Sequence, residues 1–294
     1  MSESVVYRGR FAPTPSGPLH FGSLVIALAS WLDARAQQGE WLVRIDDIDP
    51  PREVPGAASE ILRQLEACGL LWDDAVRYQS QRNAAYEAAV QQLLTQGDAF
   101  YCQLSRTDLA TLNQQHPGIS AASSSAIDSA VRLQVSSVPV CFEDRWQGQV
   151  CLDLEAAGGA FVIRRRDGLF AYQLACALDD ADDHITHVVR GMDLIDSTPR
   201  QVRVLQALGH RTPGYGHLPL VTAADGNKLA KSSGSTAIDI RHAHQHLADA
   251  LHWLGGPSVD GGVDEILLAG LAWWRDGARG LRHDAGPAPA RSLP

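Results

Sequence analysis

The sequence has 294 residues, 45% of them hydrophobic, which is an ordinary proportion for a globular protein with a sizeable core. Its net charge of −9 argues against sequence-blind binding of nucleic acid, because such binding needs a broad basic surface. A local basic groove is still compatible with that charge, since Arg164, Arg165 and Arg166 form one concentrated positive patch. No apolar run approaches the roughly 20 residues that span a bilayer, and residues 1–10 lack the apolar stretch of a signal peptide. We therefore expect a cytoplasmic protein.

The first hundred residues alternate between strand and helix patterns, which favours an α/β fold with a largely parallel sheet. A short strand is predicted over residues 9–13 and is followed by a turn rich in Pro and Gly. Apolar residues then recur at helical spacing, so a helix should begin near Gly22 and end before Gly39. A buried strand is predicted over 41–45, and two further helical stripes follow.

The middle of the chain, residues 99–150, has a weaker pattern. It contains a low-complexity stretch at 120–125 and a possible strand in which Val131, Leu133 and Val135 alternate with polar residues. We interpret this region as an inserted subdomain with a mobile loop.

Two strand-like runs, 160–165 and 169–174, mark the return of regular structure. They are joined through Asp167-Gly168, a dipeptide that suits the positive φ angles of tight hairpins. Tyr172 should then lie on a strand. Thr198, followed by a proline and a glutamine, has the pattern of a helix start.

Five cysteines are scattered along the chain without any C-x-C or C-x-x-C pair. They are Cys68, Cys102, Cys141, Cys151 and Cys176. An odd number without close pairs is typical neither of a disulfide framework nor of a metal cluster. We interpret them as reduced residues that mostly serve packing.

The first chemical signal is the segment RFAPTPSGPLHFGS at residues 10–23, which is typical of a strand, a rigid turn and a helix start. Unpaired backbone N–H groups and the positive dipole end of such a helix can hold phosphate. His20 could donate to phosphate oxygens or stack on an adenine ring, and Gly22 would let a nucleotide lie close to the backbone. A single His beside a glycine more often has a structural role, so the interpretation depends on the whole segment.

This segment resembles the first signature of class I aminoacyl-tRNA synthetases, the HIGH motif, in the form R-x-A-P-S-P-T-G-x-L-H-x-G of the glutamyl branch. Phe21 and Ser23 replace the second and fourth letters of HIGH. The resemblance implies that His20, Gly22 and Ser23 bind ATP and that His20 is catalytic. It also implies that the first five residues of the segment border the amino-acid substrate: Arg10, Phe11, Ala12, Pro13 and Thr14.

A second segment, KLAKS at residues 228–232, lies far downstream in a polar, Gly-containing stretch. In isolation it would be interpreted as a solvated basic turn. Together with the first segment it resembles the KMSKS loop of the same class, with Ala230 in place of the central serine. The resemblance implies that Lys228, Lys231 and Ser232 bind ATP. It makes Lys231 catalytic, because its ammonium would stabilise the charge that develops on the phosphates while an acyl-adenylate forms.

A third segment, RIDDIDPPR at residues 44–52, resembles the R-I-E-D-T-D-x-x-R segment of glutamyl-tRNA synthetases, whose first acidic residue receives the amino group of the substrate. Asp46 has that position and is one methylene shorter than the usual Glu, so its contact could be longer or mediated by water. The alternative is an acidic strand end before a Pro-rich turn.

The segments around Tyr172 and Arg190 resemble two more substrate-lining segments, and the guanidinium of Arg190 would bind the γ-carboxylate of glutamate bidentately.

The resemblance covers roughly residues 8–235 and implies the Rossmann-like parallel sheet of a class I synthetase catalytic domain. On this basis we divide the chain into four parts. They are the first half of the catalytic domain (1–98), an inserted subdomain (99–150), the second half with the KMSKS-like loop (151–235), and a helical C-terminal region with a mobile tail (236–294).

The short form resembles a branch of the glutamyl-tRNA synthetases that activates glutamate without tRNA and attaches it to the queuosine base in the anticodon loop of tRNA(Asp). It implies a ligase whose partners are L-glutamate, ATP with Mg²⁺ and queuosine-containing tRNA(Asp), with no membrane partner. Two alternatives remain open. One is a truncated glutamyl-tRNA synthetase that charges the 3′ end of tRNA(Glu), and the other is a non-catalytic RNA-binding paralogue.

Many members of the family carry a zinc site that begins Y-C-x-C and is closed by a later Tyr and Cys. This sequence has Tyr101-Cys102-Gln103-Leu104 and then the Ser-rich stretch 120–125, so only Cys102 is retained. The usual tetrahedral ligand set cannot be assembled from one cysteine. We therefore predict no bound zinc and no other metal site.

Overall fold

The structure is a computed structural model that describes residues 6–222, 237–281 and 286–287. Its helices are α1 (Phe21–Ala36), α2 (Ala57–Ala67), α3 (Asn83–Gln96), α4 (Arg106–Thr111), α5 (Tyr172–Asp182), α6 (Thr198–Leu208), α7 (Ala243–Trp253) and α8 (Val263–Arg275). Its strands are β1 (Arg8–Phe11), β2 (Glu40–Ile45), β3 (Arg77–Tyr78), β4 (Ala99–Cys102), β5 (Ala130–Leu133), β6 (Val140–Asp144), β7 (Gly148–Leu152), β8 (Phe161–Arg164), β9 (His187–Gly191), β10 (Gly214–Leu218), β11 (Val221–Thr222) and β12 (Gly286–Pro287).

Two compact units make up the chain. The first unit is formed by Met1–Tyr78, Ile185–Asp193 and Tyr215–Pro294, and the second unit by Gln79–His184 and Leu194–Gly214. The four-part division expected from the sequence stays a prediction.

The first unit contains a parallel sheet of β1, β2 and β3 in that spatial order. Arg8 of β1 pairs with Glu40 of β2. β9 and β10 are hydrogen-bonded neighbours, and the backbone N–H of Thr186, just before β9, donates to the carbonyl oxygen of Arg8 at 2.9 Å. The predicted α/β order and parallel pairing of the first strands are therefore confirmed.

Helix α1 is the central helix of the first unit and packs against β1, β2, α7 and α8. Leu24, Leu28 and Leu32 are buried at the i, i+4 spacing of one helical face. Asp33 accepts hydrogen bonds from the hydroxyl of Tyr7 and, at 2.9 Å, from the indole N–H of Trp274 on α8. This buried carboxylate therefore ties α8 to α1.

The second unit contains an antiparallel sheet of β4, β5 and β8, a β6–β7 hairpin, and the helices α3, α5 and α6. Asp179 on α5 is fully buried and accepts hydrogen bonds from Gln79, Arg82 and Tyr86, each at 2.8 Å. Because a buried carboxylate is costly unless it is hydrogen-bonded, these three donors stabilise the packing of α5 against α3.

The hairpin predicted around Asp167-Gly168 is only partly formed. Gly168 has the left-handed conformation of the turn, with φ at 88°, but the second arm is a single bridge between Arg164 and Phe170. Tyr172, predicted on a strand, is instead the first residue of α5. The reason is the apolar run that follows, in which Leu174 and Leu178 are buried one helical turn apart.

The interpretation of the cysteines as reduced is wrong for two of them. Cys141 and Cys151 form a disulfide, because the register of β6 and β7 places them directly opposite each other with Cα atoms 4.1 Å apart. The other three cysteines are free and buried. Burial raises the pKa of the Cys68 thiol to about 12, as expected for a packing residue.

The Ser-rich stretch 120–125 begins within a short 3₁₀ helix, Gly118–Ala121, and is organised by serine side chains. Ser123 Oγ accepts the backbone N–H of Ser125 at 3.1 Å. The mobility of this loop stays a prediction. Of the predicted mobile tail, the part after residue 281 lies outside the described residues, except for 286–287.

None of the helices in the described ranges has both the length and the hydropathy needed to cross a membrane.

Candidate active site

The first and third sequence segments meet at the carboxyl ends of two adjacent parallel strands. β1 ends at Phe11 and β2 at Ile45, so residues 12–14 follow one strand and Asp46 follows the other. The backbone N–H of Asp46 donates to the carbonyl oxygen of Pro13 at 3.0 Å. Open parallel sheets bind ligands at this edge, so both segments lie where a ligand is expected.

His20 is the N-cap of α1. Its Nδ1 accepts the backbone N–H of Ser23 at 3.2 Å, and its Nε2 lies 2.9 Å from Ser23 Oγ. Because Nδ1 accepts, the neutral ring carries its proton on Nε2 and donates it to the hydroxyl. Ser23, which departs from HIGH, thus holds the imidazole at the positive end of a 16-residue helix, where phosphate is favoured.

Gly22 leaves room for that arrangement. A Cβ at this position would lie 3.2 Å from Cε1 and 3.3 Å from Nδ1 of His20, which is closer than ordinary van der Waals contact. A side chain here would therefore displace the imidazole ring. The absence of a side chain at Gly22 thus allows the observed position of His20. The predicted close approach of a nucleotide to this backbone stays a prediction.

Asp46 is a buried carboxylate, and its Oδ1 accepts a hydrogen bond from Nε of Arg44 at 2.7 Å. Both side chains of this ion pair are almost completely buried. Arg10 and Phe11, at the end of β1, are buried as well. The buried pairing fixes the orientation of the carboxylate, which suits the predicted role of receiving an ammonium group.

Arg190 lies on β9 with only 4% of its surface exposed. Its Nε donates to Nε2 of His217 at 3.0 Å, and its guanidinium carbon is 5.5 Å from the ring centroid of Tyr215. Tyr215 and His217, both on β10, stack with ring centroids 6.2 Å apart. Two aromatic rings therefore hold this guanidinium in one orientation, as bidentate recognition of a carboxylate requires.

Gln64 joins the first segment to the chain that follows the second one. This fully buried side chain accepts the backbone N–H of Leu19 at 2.7 Å through Oε1 and donates to the carbonyl oxygen of Ile238 at 2.7 Å through Nε2. The backbone N–H of Ile238 donates to the carbonyl oxygen of Leu19 at 2.9 Å, and His20 forms a β-bridge with Ala237. The chain immediately after the KMSKS-like loop thus runs beside the histidine of the first motif.

Four predicted residues cannot be placed against this arrangement. Lys228, Lys231 and Ser232 lie outside the described residues. Tyr172 begins α5 and belongs to the second unit, so its place in the glutamate pocket stays a prediction.

Sequence reasoning missed Gln64, Tyr215 and His217. Gln64 lies on an amphipathic helix, where a polar residue is ordinarily interpreted as solvent-exposed. The aromatic residues lie in the run Gly214–Leu218, whose alternation of glycine with larger residues is a weak strand signal. No sequence pattern in either segment identifies the residues that these side chains contact.

The region where the family carries zinc contains a hydrogen-bonded pair instead. Cys102 Sγ lies 3.2 Å from Nε2 of His116, and both side chains are buried. Burial, together with the nearby guanidinium of Arg132, lowers the pKa of His116 to about 4. Within the described ranges, no three His, Cys, Asp or Glu side chains cluster as metal ligands, so these residues do not fit a tetrahedral zinc site.

Comparison with known proteins agrees with this geometry. Residues 6–251 match the family described as class I tRNA synthetases (E and Q), catalytic domain. A glutamyl-Q tRNA(Asp) synthetase from Photobacterium profundum is 51% identical over 93% of this chain and 88% of that protein. A glutamyl-Q tRNA(Asp) synthetase from Pseudomonas putida KT2440 is 47% identical over 97% of each chain.

The solved structures give the same fold. A glutamate-tRNA synthetase from Elizabethkingia anophelis matches with a TM-score of 0.79 at 20% identity, covering 97% of this chain and 68% of that one. The chain therefore belongs to the class I tRNA synthetases for glutamate and glutamine, a family of ligases, and the predicted fold class is confirmed. Within that family, its relatives at 47–51% identity carry the name glutamyl-Q tRNA(Asp) synthetase, which confirms the resemblance drawn from the sequence.

Proposed function

We propose that this protein activates L-glutamate with ATP and transfers the glutamyl group to the queuosine base of tRNA(Asp). In the first step a carboxylate oxygen of glutamate attacks the α-phosphorus of ATP, the bond to the β-phosphate breaks, and pyrophosphate leaves. In the second step a hydroxyl of the cyclopentene diol of queuosine attacks the carbonyl carbon of the adenylate. The hydroxyl loses its proton, AMP leaves, and an ester remains on the tRNA.

The observation that carries this proposal is the contact between His20 and Ala237, which brings the chain after the KMSKS-like loop beside the first motif. In the proposed site, His20, Gly22 and Ser23 bind ATP from the start of α1, and Mg²⁺ accompanies the triphosphate as part of the substrate. Lys228, Lys231 and Ser232 bind it from the loop that precedes Ala237. Lys231 then faces the charge that develops on the leaving pyrophosphate.

At the amino-acid end, we assign the γ-carboxylate to Arg190, whose orientation is supported by its contacts with His217 and Tyr215. The amino group is assigned to Asp46, and Tyr172 completes the pocket. The remaining border is formed by residues at and after the end of β1: Arg10, Phe11, Ala12, Pro13 and Thr14. A positive guanidinium at the γ-position favours glutamate over glutamine. The neutral amide of glutamine would leave the guanidinium charge without a partner.

The proposed acceptor is supported by the relatives, since glutamyl-Q tRNA(Asp) synthetases at 47–51% identity match most of this chain. The diol of queuosine resembles the ribose diol at a tRNA 3′ end, so one adenylate site can serve either acceptor. We further propose that the protein acts in the cytoplasm and that its partners are L-glutamate, ATP and queuosine-containing tRNA(Asp).

Two assays test the proposal. The first is ATP–pyrophosphate exchange without tRNA, with glutamate, glutamine and aspartate compared, and we expect exchange with glutamate alone. An absence of glutamate-dependent exchange would support the non-catalytic alternative.

The second assay measures esterification of labelled glutamate to three RNAs: tRNA(Asp) with queuosine, tRNA(Asp) without it, and tRNA(Glu). We expect product only with the queuosine-containing tRNA. Charging of tRNA(Glu) at its 3′ end would instead assign the chain to the truncated glutamyl-tRNA synthetases.

A further inference from the structure

The second unit contains a cleft with a volume of about 590 Å³, here called the arginine cleft. Six of its lining residues are charged: Arg106, Arg132, Arg165, Arg166, Asp128 and Asp167. Positive charge is therefore in excess inside the cleft, although the whole chain carries a net charge of −9. A local excess of this kind attracts anions and raises their concentration at the surface.

Two of the arginines are held in place by backbone carbonyl groups. Arg166 donates through Nη2 to the carbonyl oxygen of Gln103 at 2.8 Å, and Arg132 donates through Nη1 to the carbonyl oxygen of Ala160 at 2.7 Å. Neither contact neutralises the guanidinium, because the acceptors carry no formal charge. These contacts orient both side chains without removing their charge. Arg132 is partly buried and also contacts Cys102, so the exposed Arg166 has the more accessible N–H groups.

Arg106 and Arg165 are exposed, as Arg166 is. Arg106 makes no ion pair within the part of the chain that the structure describes. Arg165 is paired with Asp167 at 2.6 Å, but both side chains are about half exposed. An ion pair in solvent contributes little, so a phosphate group can replace the carboxylate.

Arg164 shows what a neutralised arginine looks like in the same segment. Its Nη1 donates to both carboxylate oxygens of Glu87, at 2.9 and 2.8 Å. Arg164 does not line the cleft. The patch of three arginines predicted from the sequence is therefore divided, with one member committed to Glu87 and two facing the cleft.

We infer that the arginine cleft binds phosphate groups of the tRNA backbone. This inference rests on the proposed function, which supplies the tRNA. Pockets for small molecules are lined mainly by apolar and aromatic side chains, whereas six of the eleven residues that line this cleft are charged and none is aromatic. The cleft lacks the aromatic side chains on which bases ordinarily stack, and guanidinium groups match phosphate geometry.

Backbone recognition has a consequence for specificity. Contacts with phosphates position an RNA but carry no base information. The arginine cleft should therefore strengthen binding of tRNA(Asp) equally with and without queuosine, and discrimination of queuosine would remain with the catalytic site.

The test compares two double variants that remove the same charge. Arg106→Ala/Arg166→Ala alters the cleft, and Arg63→Ala/Arg279→Ala removes two exposed arginines of the first unit. Binding of tRNA(Asp) with and without queuosine is measured by filter binding from about 50 to 200 mM salt, because phosphate contacts make affinity salt-dependent. Exchange kinetics are measured for the same proteins, and equal melting temperatures verify folding.

We expect the cleft variant to reduce the slope of log Kd against log salt by about 2, roughly one for each lost phosphate contact. The control variant should keep the wild-type slope, and neither should change the ATP KM. Equal slopes in the two variants would overturn the inference, as would a raised ATP KM with unchanged tRNA binding, or a loss confined to queuosine-containing tRNA. Binding needs no turnover, so failure of glutamate exchange in the wild type would refute the proposed function separately.

Discussion

Arg190 acquires its orientation from residues far away in the sequence. Its guanidinium donates to His217, 27 residues downstream, and lies over the ring of Tyr215. Aromatic side chains have few rotatable bonds, so they restrain the fork of the arginine at little entropic cost. A buried, oriented guanidinium on β9 is therefore the part of the candidate pocket with the strongest structural support for binding a carboxylate.

We predict that Arg190→Ala raises the glutamate KM about 10- to 100-fold, because a hydrogen bond to a charged group is worth about 1.5–3 kcal/mol. The ATP KM should stay near its wild-type value. Arg190→Lys is the matched variant, since it keeps the charge and loses the bidentate fork, and it should recover only part of the affinity. Exchange kinetics with each substrate varied in turn provide the measurement, and equal increases in both KM values would remove Arg190 from the amino-acid pocket.

Lys231 is distinctive because Lys228 and Lys231 are the only lysines in the sequence. Every other basic side chain apart from histidine is an arginine. Lysine provides a compact ammonium group that can follow a phosphate as charge shifts, whereas arginine provides a planar fork. The chain thus keeps this residue type for the segment that resembles the KMSKS loop.

We predict that Lys231→Ala lowers the rate of glutamate-dependent exchange about 100- to 1,000-fold, corresponding to roughly 3–4 kcal/mol of lost transition-state stabilisation. Folding should be little affected, as judged by an unchanged melting temperature. Arg241→Ala is a control because its exposed side chain lies outside the motif. A near-normal exchange rate would exclude Lys231 from the mechanism.

At the scale of elements, the sequence predicted best where one local pattern decides the structure. Strands β1 and β2 and helix α1 follow from uninterrupted apolar periodicity and from the Pro/Gly turn between β1 and α1. The prediction for Tyr172 failed because residues 169–174 alternate like a strand when they are considered alone. The buried run that continues to Leu178 has helical spacing, and tertiary packing favours the longer element.

The links between elements could not be predicted in the same way. Gln64 binds Leu19 and Ile238, which are 45 and 174 residues away in the sequence. Such contacts are determined by topology, and no local pattern of charge or hydropathy encodes them. The motifs could therefore be recognised in the sequence, but the side chain that joins the first motif to the chain after the second could not.

We predict that Gln64→Ala destabilises the protein by about 2–4 kcal/mol, because it leaves a buried N–H and a buried carbonyl oxygen unsatisfied at about 1–3 kcal/mol each. At a temperature where the variant is folded, the ATP KM should rise more than the glutamate KM. The reason is that Gln64 holds Leu19, the residue before His20, and Ile238, which follows the residue that bridges to His20. Gln91→Ala, an exposed glutamine on α3, is the control. Chemical denaturation and exchange kinetics provide the two readouts, and a stable variant with unchanged ATP KM would contradict the prediction.

At the scale of the whole molecule, charge and chemistry are distributed unevenly. The first unit contains the described motif residues around α1, and the second contains the arginine cleft and the Cys102–His116 pair. Composition alone indicated a chain unsuited to broad contact with nucleic acid. Concentrating arginine in one cleft is how an acidic protein can still attract a polyanion, because local potential and not net charge controls the encounter.

The Cys102–His116 pair leads to a prediction about metal dependence. A structural zinc ion needs four ligands, whereas the sulfur of Cys102 and Nε2 of His116 are used in a contact with each other at 3.2 Å. Since the pKa of His116 is lowered to about 4, the ring stays neutral near pH 7 and keeps this hydrogen bond. We predict that this buried pair stabilises the second unit without a metal.

We accordingly predict that the purified protein contains far less than one equivalent of zinc and that a chelator leaves its melting temperature unchanged. His116→Ala should lower the melting temperature, because it removes a buried side chain and leaves Cys102 without this partner. Elemental analysis and thermal unfolding with and without chelator provide the measurements. One zinc ion per chain, lost together with stability on chelation, would show that other residues complete a metal site and that the pair does not replace it.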